Sequence, residues 1–313
     1  MSSTTNQSLP IGYELQGYKI GKVLSAGGFS YVYLATDADG NTVAIKEYLP
    51  NGLALRADGD QVVMPAAEAS HNFRHGLKCF FEEGRALANI NHKNIVRVLN
   101  FFRANDTVYM VMQYERGKSL QECILGKNEA VPENSVRRLF TELLNGLREV
   151  HTHKLLHLDI KPANIYIRQD GSPVLLDFGS ARQTLNQSNA QLAPSFTPGF
   201  APPEQYNQQE LLGPWSDIYS IGATIYACLA RTAPPAATDR LKHDQIVPAE
   251  KLGKDIYSSN LLRIIDNCLA LDHLERPQSI YALQKSLQND LPETDAATDR
   301  KPGIVGRLLN MFQ

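Results

Sequence analysis

The chain has 313 residues, 43% of them hydrophobic and 20% charged, enough to bury a full core in one large or two tightly associated domains. A net charge of -2 removes any bulk electrostatic reason for nucleic acid as a partner. The scattered cysteines Cys79, Cys123, Cys228 and Cys268 form no Cys-x-x-Cys pair, so a disulfide framework is excluded and buried free thiols in a reducing compartment are expected.

Met1 to Pro10 is polar and lacks the basic start and apolar centre of a signal peptide, and no apolar run is long enough to span a bilayer. A cytoplasmic protein is expected. From Tyr18 the chain shows short β-like runs at Tyr18 to Leu24, Tyr31 to Asp37, Thr42 to Glu47, Val96 to Arg103 and Val108 to Met112, with turn residues such as Asp39-Gly40-Asn41 between them. One helix interrupts them, marked by Phe80, Phe81, Leu87 and Ile90. The stretch from Asn51 to His75 reads as a long polar connection, with a small hairpin around Asp58-Gly59-Asp60.

Beyond Lys118 the pattern turns helical. Val136, Leu139, Phe140, Leu143, Leu144, Leu147 and Val150 make one apolar stripe, with Pro132 at its start and Glu133 in the first turn. Ile218 to Leu229, apolar but broken by Ser220, Gly222 and Thr224, suits a buried helix. Leu291 to Pro302 reads as a linker, and Ile304, Val305, Leu308, Leu309 and Phe312 then form a short helical stripe that is a candidate docking element.

The chemistry concentrates in His157-Leu158-Asp159-Ile160-Lys161-Pro162-Ala163-Asn164 and, after a short apolar stretch, Asp177-Phe178-Gly179. A carboxylate can hold an attacking hydroxyl, a lysine can neutralise a moving phosphate, and an amide with a second carboxylate supplies hard oxygen ligands for magnesium. Upstream, Leu24-Ser25-Ala26-Gly27-Gly28-Phe29-Ser30 is a small-residue hairpin whose backbone N–H groups could approach phosphate oxygens. His151, His153 and His157 lie close in sequence, and a helix end running into the next loop explains them better than a metal site does.

These motifs, in this order, resemble the eukaryotic-type Ser/Thr protein kinases, most closely their bacterial members. The resemblance implies an α+β, two-lobed fold: a small antiparallel sheet with one main helix over residues 18–112, a hinge at 113–117 and a mostly helical lobe over 118–291. A 1–17 extension, a 292–303 linker and a 304–313 amphipathic segment flank it.

By that resemblance ATP is bound by Leu24, Ser25, Gly27, Gly28, Phe29, Val32, Ala44, Lys46, Met112, Gln113, Tyr114 and Glu115. Lys46, in Val43-Ala44-Ile45-Lys46, holds the α- and β-phosphates and pairs with Glu83, with Glu82 as the rival, and Met112 guards the back of the pocket. Gly117 lets the hinge turn into the larger lobe. Asp159 is the base, Lys161 contacts the γ-phosphate, and Asn164 and Asp177 hold Mg2+, or alternatively Mn2+. Thr197, in the docking segment that ends at Pro203-Glu204, bridges Asp159 and Lys161. Thr184, Ser188, Ser195 and Thr197 are candidate autophosphorylation sites, while Asp217, Glu204 and Arg276 are structural.

The chain departs from the family pattern at Ser25 and Ser30, which stand at the first and third loop glycines, and at Leu158, which replaces the usual arginine before the base. Missing that arginine removes one electrostatic link between loop phosphorylation and the site. The expected activity is phosphorylation of serine or threonine in protein substrates, with no nucleic acid partner and with Gly303 to Gln313 docking on a partner or on the protein itself. A nucleotide-holding pseudokinase scaffold is the second reading and a small-molecule kinase the third.

Overall fold

A computed structural model describes residues 6–56, 62–63, 67–126, 131–178, 182–183, 196–207 and 209–288. Contacts divide the chain into two compact units, one built from the described residues up to Asn91 with Val96–Glu115, the other from His92–Ile95 and the described residues from Arg116 on.

The first unit is a six-stranded antiparallel sheet in the order β1-β2-β3-β4-β8-β7, made of β1 (Glu14–Leu15), β2 (Tyr18–Ala26), β3 (Ser30–Thr36), β4 (Thr42–Tyr48), β7 (Val98–Ala104) and β8 (Thr107–Gln113). The hairpin expected after Asn51 forms as β5 (Leu55–Arg56) paired with β6 (Val62–Val63). Its turn, Asp58-Gly59-Asp60, lies outside the described residues.

Helix α1 spans Ala67–Ala88 and corrects the sequence reading, which left the chain as a connection as far as His75. Its first turns contain good helix formers, and Phe73 is fully buried with its ring 5.6 Å from that of Tyr48, so packing against the sheet carries the helix back past the visible apolar stripe.

The second unit opens with β9 (Gly117–Ser119), which joins β11 (Ile165–Arg168) and β12 (Pro173–Leu175) in a small antiparallel sheet. Gly117 is required there because a Cβ would lie 2.0 Å from the carbonyl oxygen of Ile167; close approach of two strands demands the glycine. Helix α2 (Leu120–Leu125) starts with a capping box between Ser119 and Glu122. Helix α3 (Glu133–Thr152) buries the expected stripe, and Phe140, Leu143, Leu144, Leu147 and Val150 have no solvent exposure.

Strand β10 (Leu155–Leu156) pairs with β13 (Arg182–Gln183), and a single 3-10 turn covers Pro162–Asn164. Helices α4 (Pro203–Asn207), α5 (Pro214–Ala230), α6 (Ala237–Lys242), α7 (Ala249–Leu252), α8 (Ser259–Cys268) and α9 (Ile280–Gln288) complete the unit. Helix α5 is buried from Ser216 to Cys228, as its apolar sequence implies, and Gly222 lets α8 approach until a Cβ would stand 2.4 Å from that of Cys268.

None of the four cysteines is in a disulfide, and three are buried as expected; Cys79 is exposed, with its Sγ 3.3 Å from Nε2 of His75 one turn earlier on α1. Among the described residues no helix is long and apolar enough to cross a membrane. The linker and the Gly303 to Gln313 segment lie outside the described residues.

Candidate active site

In the second unit, the loop between β10 and β11 is held from behind by Asp217 of α5, which has no solvent exposure. Its Oδ2 accepts the backbone N–H of His157 at 2.9 Å and Nε2 of His151 at 2.7 Å, and its Oδ1 accepts the backbone N–H of Leu158 at 2.8 Å. Burial works to raise the Asp217 pKa. The hydrogen bond and charge of His151, with the backbone N–H of His157, outweigh it and hold the carboxyl below its ordinary value.

His157 is buried against Phe178, with ring centroids 4.4 Å apart. Its Nε2 donates to the carbonyl of Leu176 at 3.1 Å, while Nδ1 accepts the backbone N–H of Asp159 at 3.2 Å. Desolvation lowers its pKa, so the ring is neutral, as that pair of bonds requires. Two of the clustered histidines thus serve the loop's backbone. Among the described residues no group of three His, Cys, Asp or Glu side chains could hold a metal.

Asp159 faces three side chains. Lys161 Nζ lies 2.7 Å from its Oδ2 and donates to Thr197 Oγ1 at 2.7 Å, and Thr197 Oγ1 in turn donates to Asp159 Oδ1 at 3.0 Å. Asn164 Nδ2 donates to the carbonyl of Asp159 at 2.8 Å and to its Oδ2 at 3.1 Å. Thr197 is thereby tied to both charged side chains of the loop. With the amide nitrogen committed to Asp159, the oxygen is the atom of Asn164 suited to a hard cation. Asp177 is exposed, at φ 56°, directly before the buried Phe178.

Glu204 and Arg276 form a buried bidentate pair at 2.8 and 3.1 Å. Ser216 donates to the same glutamate at 2.8 Å, and Arg276 also reaches the carbonyls of Ala270, Leu271 and Trp215. Gly199, near Thr197, sits at φ 89°, where a Cβ would stand 2.6 Å from the carbonyl of Pro234.

In the first unit Lys46 lies on β4, paired in register with Met110 of β8, while Ala44 pairs with Met112. Lys46 is buried, its Nζ 5.5 Å from the centroid of the Phe80 ring; Glu83, also buried, is three residues beyond Phe80 along α1, whereas Glu82 is exposed. Gln113 is exposed, Tyr114 and Glu115 half-buried, and the backbone N–H of Gln113 is bound to the carbonyl of Arg97 at 2.9 Å.

Leu24, Ser25, Gly27, Gly28, Phe29 and Val32 lie along the β2–β3 hairpin. The tip is fastened to the segment after β4, where Leu49 N–H donates to the carbonyl of Phe29 at 3.0 Å and Asn51 N–H to that of Gly28 at 2.8 Å. Neither Gly27 nor Gly28 has a positive φ. A Cβ would meet nothing within 4 Å at Gly28 and only the Ser30 carbonyl, at 3.8 Å, at Gly27. The fold itself does not demand glycine at this pair, and the open backbone fits a phosphate group approaching from outside the chain.

The sequence reading missed Gln205, whose buried amide reaches the loop between β10 and β11, and Asn6, which is bonded to Ala54 and Arg56 within the first unit. Neither sits in a motif that the chemistry singles out. Thr184, Ser188 and Ser195 lie outside the described residues.

The curled antiparallel sheet with its helix, and the helical unit carrying His-x-Asp-x-Lys-Pro-x-Asn and Asp-Phe, define the protein kinase fold. Residues 18–288 match the model of the protein kinase domain, and the chain belongs to that family. It is 31% identical over 225 residues to serine/threonine-protein kinase B of Synechocystis sp., covering 68% of this chain and 36% of that protein. To serine/threonine-protein kinase D of the same organism it is 27% identical over 291 residues, 88% of this chain and 52% of that one. Among solved structures, the apo form of PpkA-294 is 36% identical with a TM-score of 0.80, covering 90% of this chain and 99% of that one. The chain spans 36% of the length of the first of these two curated relatives and 52% of the second.

Proposed function

We propose that this protein transfers the γ-phosphate of ATP to serine or threonine hydroxyls of protein substrates, its own activation segment among them. The observation that carries this reading is the closed set of Asp159, Lys161, Thr197 and Asn164.

The kinase domain is assigned to residues 18–291, with 113–117 as its hinge. In the first unit Lys46 and the hairpin backbone would hold the phosphates, with Glu83 orienting the lysine and Met112 to Glu115 reading the base. In the second unit Asp159 accepts the hydroxyl proton or orients the hydroxyl, Lys161 offsets charge on the moving phosphate, and Thr197 keeps the two side chains in register. Asn164 and Asp177 would hold Mg2+, or Mn2+ in its place; one amide oxygen and one carboxylate are what such a cation takes when phosphates and water complete its shell. When bound, the metal neutralises charge on the phosphates.

A pseudokinase scaffold is disfavoured because Lys46, Glu83, Asp159, Asn164 and Asp177 are all present. Purified protein incubated with radiolabelled ATP, Mg2+ and a generic protein substrate tests the reading: transfer that Asp159→Asn abolishes is expected, and a wild type silent with both metals overturns it. The Gly303 to Gln313 stripe is proposed as a docking element for a partner or for the protein itself; its deletion is expected to reduce partner recovery.

A further inference from the structure

Gln205 follows the Glu204 of the buried ion pair on α4, and its side chain is turned into the protein, with 3% of the residue exposed. Its Nε2 donates to the carbonyl oxygen of Leu158 at 2.7 Å. Leu158 is itself unusual. It is buried, and it occupies the left-handed region at φ 62°, which a leucine adopts only when its surroundings over-determine it.

Three hydrogen bonds supply that over-determination. The N–H of Leu158 is held by Asp217, its carbonyl by Gln205, and the N–H of Asp159 by His157. The peptide between Leu158 and Asp159 is thus gripped at both polar ends, and the plane of that peptide sets the direction in which the Asp159 side chain leaves the backbone. Only one of the two grips comes from outside the loop, and it comes from Gln205.

Packing alone does not account for this side chain. Its Oε1 is buried and accepts no hydrogen bond among the described residues, a cost that an apolar side chain of the same size would avoid. The amide is retained at a buried position for the single bond that its nitrogen makes.

We infer that Gln205 is a positioning residue for Asp159. It links the helix that ends the docking segment to the backbone of the base through an uncharged amide, at the position where Leu158 offers no cation for a loop phosphate. This inference rests on the reading of Asp159 as the base.

The test compares Gln205→Leu and Gln205→Met, which keep volume and remove the donor, with Gln205→Glu, which keeps shape and places an acceptor against the Leu158 carbonyl. Turnover and the KM for ATP are measured well below the thermal midpoint of each variant, with Mg2+ and a non-hydrolysable ATP analogue as the binding probe. Expected is a fall in kcat on the order of tenfold to a hundredfold, with KM for ATP and analogue affinity within about twofold of wild type. In Gln205→Glu the loss relative to wild type shrinks as pH is lowered and the buried carboxyl regains a proton to donate.

Wild-type kcat in both apolar variants overturns the inference, as does a loss of activity that tracks the unfolded fraction. If the apolar variants fail to fold, Gln205→Glu decides alone: a kcat ratio to wild type independent of pH counts against the inference. A wild type without transfer overturns the kinase reading as well, whereas with an active wild type that Asp159→Asn silences, the variants bear on Gln205 alone.

Discussion

Thr197 donates its hydroxyl to Asp159 while accepting the ammonium of Lys161, so one side chain ties together a carboxylate and an ammonium of opposite charge. Replacing it with valine keeps the shape and removes both bonds, leaving two charges free to adopt other rotamers. A fall in kcat on the order of tenfold to a hundredfold is expected for Thr197→Val, with near-wild-type turnover in Thr197→Ser, which restores the hydroxyl. Steady-state kinetics on the same protein substrate checks this, and equal kcat in the valine and serine variants would contradict it.

The pair between Glu204 and Arg276 is structural, with the arginine also holding three carbonyls. Removing either partner strands a buried charge, so Glu204→Ala and Arg276→Ala should each cost about 3–5 kcal/mol. The double variant should cost less than the sum because neither charge is then stranded. Denaturant unfolding of the four proteins measures the coupling.

How far the fold and site were readable in the sequence follows from the range of the forces involved. Strands β2, β3, β4, β7 and β8 carry their own β-like runs and helix α3 its own apolar stripe, and all were visible locally. The motif residues around Asp159 were visible because their order and spacing are specific. The start of α1 was not, because Phe73 is drawn into the helix by a ring on β4, and Cys79 looked like any other buried thiol. Gln205 was invisible because its partner is 47 residues away and is a backbone carbonyl, which leaves no side-chain signature.

Acid sensitivity should begin at His157. Its folded-state pKa is depressed below the ordinary 6.5, so the unfolded chain binds a proton that the native loop refuses. That contribution to stability is complete above the unfolded value and is lost as pH falls below it. His92, lowered mainly by desolvation, adds to the same slope. Thermal midpoints between about pH 7.5 and 5.5 should therefore drop for wild type and drop less steeply for His157→Gln, which retains only the His92 share. Asp217 acts in a lower window: its depressed carboxyl stabilises above the ordinary 3.8 and loses that as pH falls further. Equal slopes in the two proteins would show that His157 is charged in the native state.

Asn6, Leu9 and Leu15, ahead of Tyr18, are buried in the first unit. Asn6 donates to Asn51 at 2.9 Å and to the Ala54 carbonyl at 3.1 Å, accepts the N–H of Arg56 at 2.9 Å, and offers its own carbonyl to Tyr31 at 2.6 Å. Arg56, held further by the carbonyl of Gln7, pairs with the fully buried Glu47, which also accepts the hydroxyls of Tyr33 and Tyr109. Desolvation and the Glu47 charge push both phenols upward, so they remain donors at any working pH. Glu47 follows Lys46 on β4, and neighbouring side chains alternate faces, so the network fixes from one face the strand that carries the lysine on the other. Arg56→Ala should cost about 3–5 kcal/mol by stranding Glu47, and Asn6→Ala about 1–3 kcal/mol by leaving buried groups unpaired. Both should weaken ATP binding more than they lower kcat, measurable as a rise in KM for ATP at temperatures where the variants stay folded. Arg56→Met combined with Glu47→Gln removes both charges and should recover part of the stability, since an apolar arginine substitute beside a neutral amide strands no ion.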